Sequence, residues 1–174
     1  AFIEYKLRQK QWQLHSKEGT PFSPKFEKLM QLITHLKANN IELKLFINPY
    51  HYTYLQKIND EGYFELYLAW KKLLCRFLML EKNSNTQIID FSGFNKYTLE
   101  QSALNQPYQR MIWFWEPAHY TSELGDIILK RLYTSENIEF GVNINCEAIQ
   151  KILEQERQAL IKSQLRWHDV KAYF

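Results

Sequence analysis

The sequence predicts an α/β fold in which helices pack against a mostly parallel sheet. Two short apolar runs, Glu42 to Ile47 and Thr86 to Phe91, alternate with segments whose apolar residues recur every three or four positions. The order helix, strand, helix, strand, loop, strand, helix is that of strands joined by helical crossovers. At 174 residues and 45% apolar content the chain is long enough to bury one core. It therefore reads as a single domain: an arm over 1–22, an α/β core over 23–134, and a C-terminal helix and tail over 146–174.

Each element has its own signal. Residues 1–20 carry Phe2, Tyr5, Leu7, Trp12 and Leu14 among basic residues and read as an amphipathic helix or arm that closes at Gly19-Thr20-Pro21. Ser23-Pro24 is a helix start, a capping side chain before a proline at the first helical position. Phe26, Leu29, Met30, Ile33 and Leu36 then define one inward face, and Asn39-Asn40 ends it. The strand over 42–47 stops at Asn48-Pro49-Tyr50-His51. A helix over about 60–80, with Asp60 as its cap, has Phe64, Tyr67, Leu68, Lys71, Leu74, Cys75 and Leu78 on its stripe. Asn83-Ser84-Asn85 turns the chain into the second strand, which runs into Ser92-Gly93-Phe94-Asn95. Residues 95–110 have no clean period and read as a loop long enough to cover a site. Met111 to Trp115 is extended and Pro117 stops it. A helix follows from Thr121 or Ser122 to about Tyr133, with Leu124, Ile127, Ile128 and Leu132 inward. Phe140 to Ile144 is a short extended piece. The last helix spans about 146–165, with Arg166 to Asp169 as a surface extension.

Composition excludes several classes of function. The 22 basic and 19 acidic residues are interspersed, so the net charge of +3 builds no single-sign field, and nucleic-acid binding is not expected. The short basic clusters, Lys6 to Lys10 and Lys71-Lys72 with Arg76, read as solvated helix faces. No run approaches the about 18 apolar residues of a membrane span, and no signal peptide opens the chain. Cys75 and Cys146 lack metal-cluster spacing, look unpaired, and Cys75 reads as a small core residue.

Parallel sheets present ligand chemistry at the carboxyl ends of their strands. Those ends carry Asn48 and His51, then Asp90 and Ser92, then Glu116 and His119. A carboxylate accepting from one imidazole nitrogen fixes the tautomer and leaves the other as a general base, which makes His119 and Glu116 the candidate catalytic pair. The competing role for the pair is capping of a buried helix start. His51 suits a turn or first-turn position as well as a site-lining one, and Asp90 can orient the Ser92-Gly93 turn. Ser92 follows a strand but lacks the G-x-S-x-G elbow of an exposed nucleophile. His51, His119 and Asp90 show no paired ligand spacing, so neither a metal nor another cofactor is expected. Trp115 and Tyr120, with Trp113, suit either a saccharide-stacking surface or the core.

Taken together, Phe46-Ile47-Asn48-Pro49, Ile88-Ile89-Asp90-Phe91, and Glu116-Pro117-Ala118-His119 with Gly125-Asp126-Ile127-Ile128 resemble the C-terminal half of an SGNH (GDSL-type) hydrolase or acyltransferase. They resemble in particular the cell-envelope SGNH-like proteins related to polysaccharide O-acetyltransferases, over about residues 25–134. The resemblance implies a three-layer, SGNH/flavodoxin-like sandwich, incomplete in this chain. It further implies His119 as general base, Glu116 in place of the family's orienting aspartate, and a nucleophilic serine on an earlier strand. No G-D-S or G-x-N-D occurs in the 174 residues. Two readings follow. One is an esterase or O-acyltransferase half acting on an acylated saccharide, envelope component or small ester, its serine in a missing N-terminal half. The other is a non-catalytic domain that holds a glycan or a protein partner. The resemblance also implies the periplasm or cell envelope.

Overall fold

The computed structural model describes residues 15–17, 20–22, 24–80, 88–101 and 110–171. The fold is a mixed α/β arrangement. In chain order its elements are β1 (His15–Lys17), β2 (Thr20–Phe22), α1 (Pro24–Ala38), β3 (Leu45–Ile47), α2 (Tyr52–Asp60), α3 (Phe64–Leu80), β4 (Ile88–Asp90), β5 (Phe114–Glu116), β6 (His119–Tyr120), α4 (Ser122–Tyr133), β7 (Val142–Asn143) and α5 (Ile149–Lys171).

The central sheet has the order β3-β4-β7. β3 and β4 run parallel, with Leu45, Phe46 and Ile47 opposite Ile88, Ile89 and Asp90, and β7 joins β4 antiparallel. Because side chains alternate across a strand, Ile47, Ile88 and Asp90 share one face and Ile89 and Phe91 the other. On the first face Ile47 and Ile88 pack with Phe26 and Ile33 of α1 and Leu74 and Leu78 of α3. On the second, Ile89 and Phe91 pack with Leu124, Ile128 and Leu132 of α4, Phe114 and Phe140. Each such side chain taken from water contributes about 1.5–3 kcal/mol, so these two interfaces fix the register. Gly141 brings the chain from Phe140 into β7 at φ 79; a Cβ there would sit 2.6 Å from both Ile89 Cγ2 and Phe91 Cε1. Only glycine allows that approach.

A third cluster joins α2, α3 and α5 through Leu55, Ile58, Phe64, Tyr67, Leu68, Cys75, Ile149, Leu153 and Leu160. A disulfide between Cys75 and Cys146, with Cα atoms 5.5 Å apart, ties α3 to the segment entering α5. The expectation of two unpaired cysteines is thereby corrected. Separated by 71 positions in sequence, they meet because α5 folds back along α3.

Several elements differ from expectation. The extended Met111–Trp115 segment does not enter the central sheet. Its end, β5, pairs antiparallel with β6 in a separate hairpin, because Pro117 and Ala118 close a tight turn rather than end an extended run. Residues 52–60 form a helix of their own, and Asp60 ends that helix instead of capping the next. Within the expected N-terminal helix or arm, 15–17 and 20–22 pair as an antiparallel hairpin. The last helix starts later and continues through Arg166 to Asp169, so those residues belong to it. Lys6 to Lys10, the Ser23 cap, the Asn83 to Asn85 turn and residues 102–109 lie outside the described residues.

Candidate acid–base site

Glu116 and His119 face each other across the β5–β6 hairpin as cross-strand partners. His119 Nδ1 bonds to Glu116 Oε1, and Glu116 Oε2 accepts from the Ala118 backbone N–H at 3.1 Å. A carboxylate can only accept, so Nδ1 donates, and in the neutral imidazole the lone pair is then on Nε2. The imidazole is 67% exposed and Glu116 38%, so Nε2 is open to a hydroxyl brought from outside. Behind the turn, Thr121 N donates to Trp113 O and Thr121 Oγ1 to Ile112 O, each at 2.9 Å, fixing the hairpin to the start of α4. Thr121 is the N-cap of α4 but makes no side-chain cap bond, since its hydroxyl is spent on Ile112.

His51 is fully buried (0% exposed) and caps α2. Its Nδ1 meets Thr53 Oγ1 at 2.8 Å and accepts from Thr53 N at 3.4 Å, so Nε2 is the protonated nitrogen and donates to Glu100 O at 2.8 Å. Burial pushes its pKa below the ordinary histidine value, against the raising influence of Glu100. The His51 backbone N–H donates to Pro117 O at 3.0 Å, and Tyr52 N to Thr98 O at 2.9 Å. The segments that follow β3, β4 and β5 thus converge on His51, although β5 lies outside the sheet. Asn48, in the same turn, is exposed.

Asp90 and Ser92 belong to a second, buried cluster. Asp90 Oδ1 accepts from Ser92 N at 2.9 Å and from Ser92 Oγ at 2.6 Å, while Oδ2 pairs with Lys71 Nζ at 2.7 Å. Lys71 Nζ also donates to Ser92 Oγ and to both Glu156 oxygens, each at 2.8 Å, and Tyr67 OH donates to Ser92 Oγ at 2.7 Å. The expectation of a solvated Lys71 is corrected: it is 1% exposed, because it lies on the apolar stripe of α3 that faces the end of β4 and α5. Burial alone would lower its pKa, but Tyr67, Asp90 and Glu156 hold it above the ordinary lysine value. Lys71 is therefore a fixed cation and no base. Ser92 Oγ has its proton on Asp90 and both lone pairs engaged by Tyr67 and Lys71, so it is committed to the cluster and poorly disposed to attack a carbonyl.

Two tyrosines lie between the clusters. Tyr50 and Tyr54 stack with ring centroids 4.9 Å apart. Burial raises the Tyr50 phenol while the Lys71 charge pulls it down, and burial raises Tyr54 with smaller contributions from Tyr50 and Glu116. Trp115 is 58% exposed, with the Arg110 guanidinium 3.7 Å from its ring centroid, and Tyr120 is half-buried over Gly125. Among the described residues no three His, Cys, Asp or Glu side chains are grouped to hold a metal ion, and no helix is long and apolar enough to cross a membrane.

Lys71, Glu156, Tyr67 and Glu100 were not foreseen as functional positions. Lys71 and Tyr67 on an otherwise apolar stripe were the available signal, since a lysine among core positions needs a buried counter-charge. Glu156 and Glu100 had none, being brought in by α5 and by the 95–100 turn. Comparison with protein-family models, with curated proteins and with solved structures finds no match to this chain.

Proposed function

We propose that this chain carries the acid–base half of an SGNH-like esterase or O-acyltransferase. The single observation that supports this most is the exposed His119 imidazole held through Nδ1 by Glu116. In the proposed reaction Nε2 takes the proton of a serine hydroxyl supplied from outside residues 1–174, and the serine oxygen attacks an ester carbonyl. Glu116 stabilises the imidazolium so formed. The Nε2 proton then passes to the departing alkoxide, leaving an acyl-serine. Water or a sugar hydroxyl, deprotonated by the same nitrogen, releases the acyl group. An acylated saccharide, an envelope component or a small ester is the proposed substrate, without a cofactor. Helices on both faces of a partly parallel sheet support the three-layer reading. The Cys75–Cys146 disulfide supports the periplasm or cell envelope, since such bonds persist in oxidising compartments.

The test is p-nitrophenyl acetate turnover by the full-length protein with and without His119→Ala. Loss of a general base lowers the rate by about 10²–10⁴-fold; equal rates overturn the proposal. The exposed Trp115, stacked under Arg110, favours a second reading: a non-catalytic domain that holds a glycan or protein partner. That reading predicts a change in tryptophan fluorescence on saccharide titration, or a co-purifying partner, with no esterase activity.

A further inference from the structure

We infer that His51 is a positioning residue for the Glu116–His119 pair, acting through a closed circuit of hydrogen bonds that holds both ends of the hairpin bearing that pair. The inference rests on the acid–base reading of His119.

The circuit can be followed residue by residue. His51 Nε2 donates to the Glu100 carbonyl at 2.8 Å. The Glu100 carboxylate accepts from the backbone N–H groups of Ile112 at 2.5 Å and Trp113 at 2.9 Å, just ahead of β5. β5 then leads through Glu116 to Pro117, whose carbonyl accepts from the His51 backbone N–H at 3.0 Å. Within this ring of contacts the His51 imidazole sets its edge against the Phe114 ring, centroids 5.4 Å apart, and Phe114 is itself fully buried. The start and the tip of the hairpin are thus referred to one buried residue, the start through its imidazole and Glu100, the tip through its backbone N–H. Glu116 and His119 are both partly or largely exposed and pack little themselves. Their orientation therefore depends on where the hairpin sits. An N-cap alone would require only the Thr53 contact through Nδ1; the Glu100 contact through Nε2 and the Pro117 contact serve the hairpin.

The two ring nitrogens separate these roles experimentally. His51→Asn places an acceptor near the Nδ1 position and keeps the cap, but cannot reach Glu100 O. His51→Gln places a donor near the Nε2 position and keeps that link. Nitrogen-15 NMR of this chain reads the His119 Nδ1–H resonance and the His119 titration, and the full-length protein reads kcat and KM for p-nitrophenyl acetate. His51→Asn is expected to broaden or move the Nδ1–H signal, to shift the His119 titration, and to lower kcat by about 10- to 100-fold at unchanged KM, the range expected for misplacement by about 1 Å. His51→Gln is expected to restore both. Should His51→Asn not fold, Glu100→Ala removes both acceptors of the Ile112 and Trp113 contacts while leaving the cap intact, and the same NMR shifts are expected. An unchanged His119 signal and titration in whichever of these folds would overturn the inference and leave His51 as a helix cap. The NMR result stands independently of turnover: absent esterase activity in the unaltered full-length protein would sink the acid–base proposal, whereas an unmoved His119 would sink only the positioning role.

Discussion

Replacing Lys71 with methionine is the sharpest perturbation of the fold. Methionine keeps the length and the apolar stem but removes the cation that Asp90 meets at 2.7 Å and Glu156 at 2.8 Å. With Lys71 and both carboxylates buried, solvent does not replace the lost partner. Removing one member of a buried, hydrogen-bonded ion pair destabilises by about 3–5 kcal/mol, against about 1 kcal/mol or less for an exposed pair. In a chain of this size each kcal/mol lowers the melting temperature by roughly 2–4 °C, so the expected fall is on the order of 10 °C. Burial already raises the Glu156 pKa, and Lys71 opposes that rise. Without Lys71, burial acts on Glu156 unopposed and its folded carboxyl binds protons more tightly than the unfolded one, so the variant's deficit relative to the unaltered protein should shrink as the pH falls through the folded Glu156 value. Glu156→Gln in the Lys71→Met background should recover part of the loss, since contacting residues couple by about 0.5–3 kcal/mol. Urea and thermal unfolding monitored by circular dichroism measure these outcomes. A loss under about 1 kcal/mol for Lys71→Met would mean that Lys71 is no buried, paired cation.

Other outcomes follow from single features. Replacing Cys75 and Cys146 together by serine removes a cross-link between residues 71 positions apart, which should cost about 4 kcal/mol if it acts by constraining the unfolded chain; a non-reducing peptide map that finds both thiols free would contradict the link itself. His51 has a folded pKa depressed by burial, so its contribution to stability is complete above the unfolded value of about 6.5 and is lost as the pH falls through the folded value. Melting temperatures should therefore drop between about pH 7 and about pH 5, and His51→Asn should drop less steeply. Parallel curves for the two proteins would count against a buried neutral His51.

Much of the fold was legible because it follows local periodicity. The inward faces of α1 and α4, with Ile33 and Leu124 among their buried residues, and the apolar runs at β3 and β4 lie where their spacing predicts them. What was not legible depended on partners distant in sequence. Lys71 reads as solvated when weighed with Lys72 and Arg76, yet its place between Leu68 and Leu74 on one stripe already required a counter-charge, and that charge, Glu156, arrives 85 positions later. The cysteines gave no spacing signal across 71 positions. α2 was hidden because Tyr52 to Asp60 is polar and short, and its cap is a histidine, outside the usual capping set. At the candidate site, the Glu116–His119 contact was legible from three-residue spacing and the intervening proline. The junction at His51 was not, since it is made largely by backbone groups of Glu100 and Pro117, which carry no side-chain signature.

Under the proposed function His119, oriented by Glu116, activates a serine lying outside residues 1–174. A fluorophosphonate probe applied to the full-length protein, followed by peptide mass spectrometry, tests it most directly. One adduct is expected, on a serine outside these residues, lost or strongly slowed in His119→Ala. An adduct on Ser92, or labelling at the same rate without His119, would contradict it.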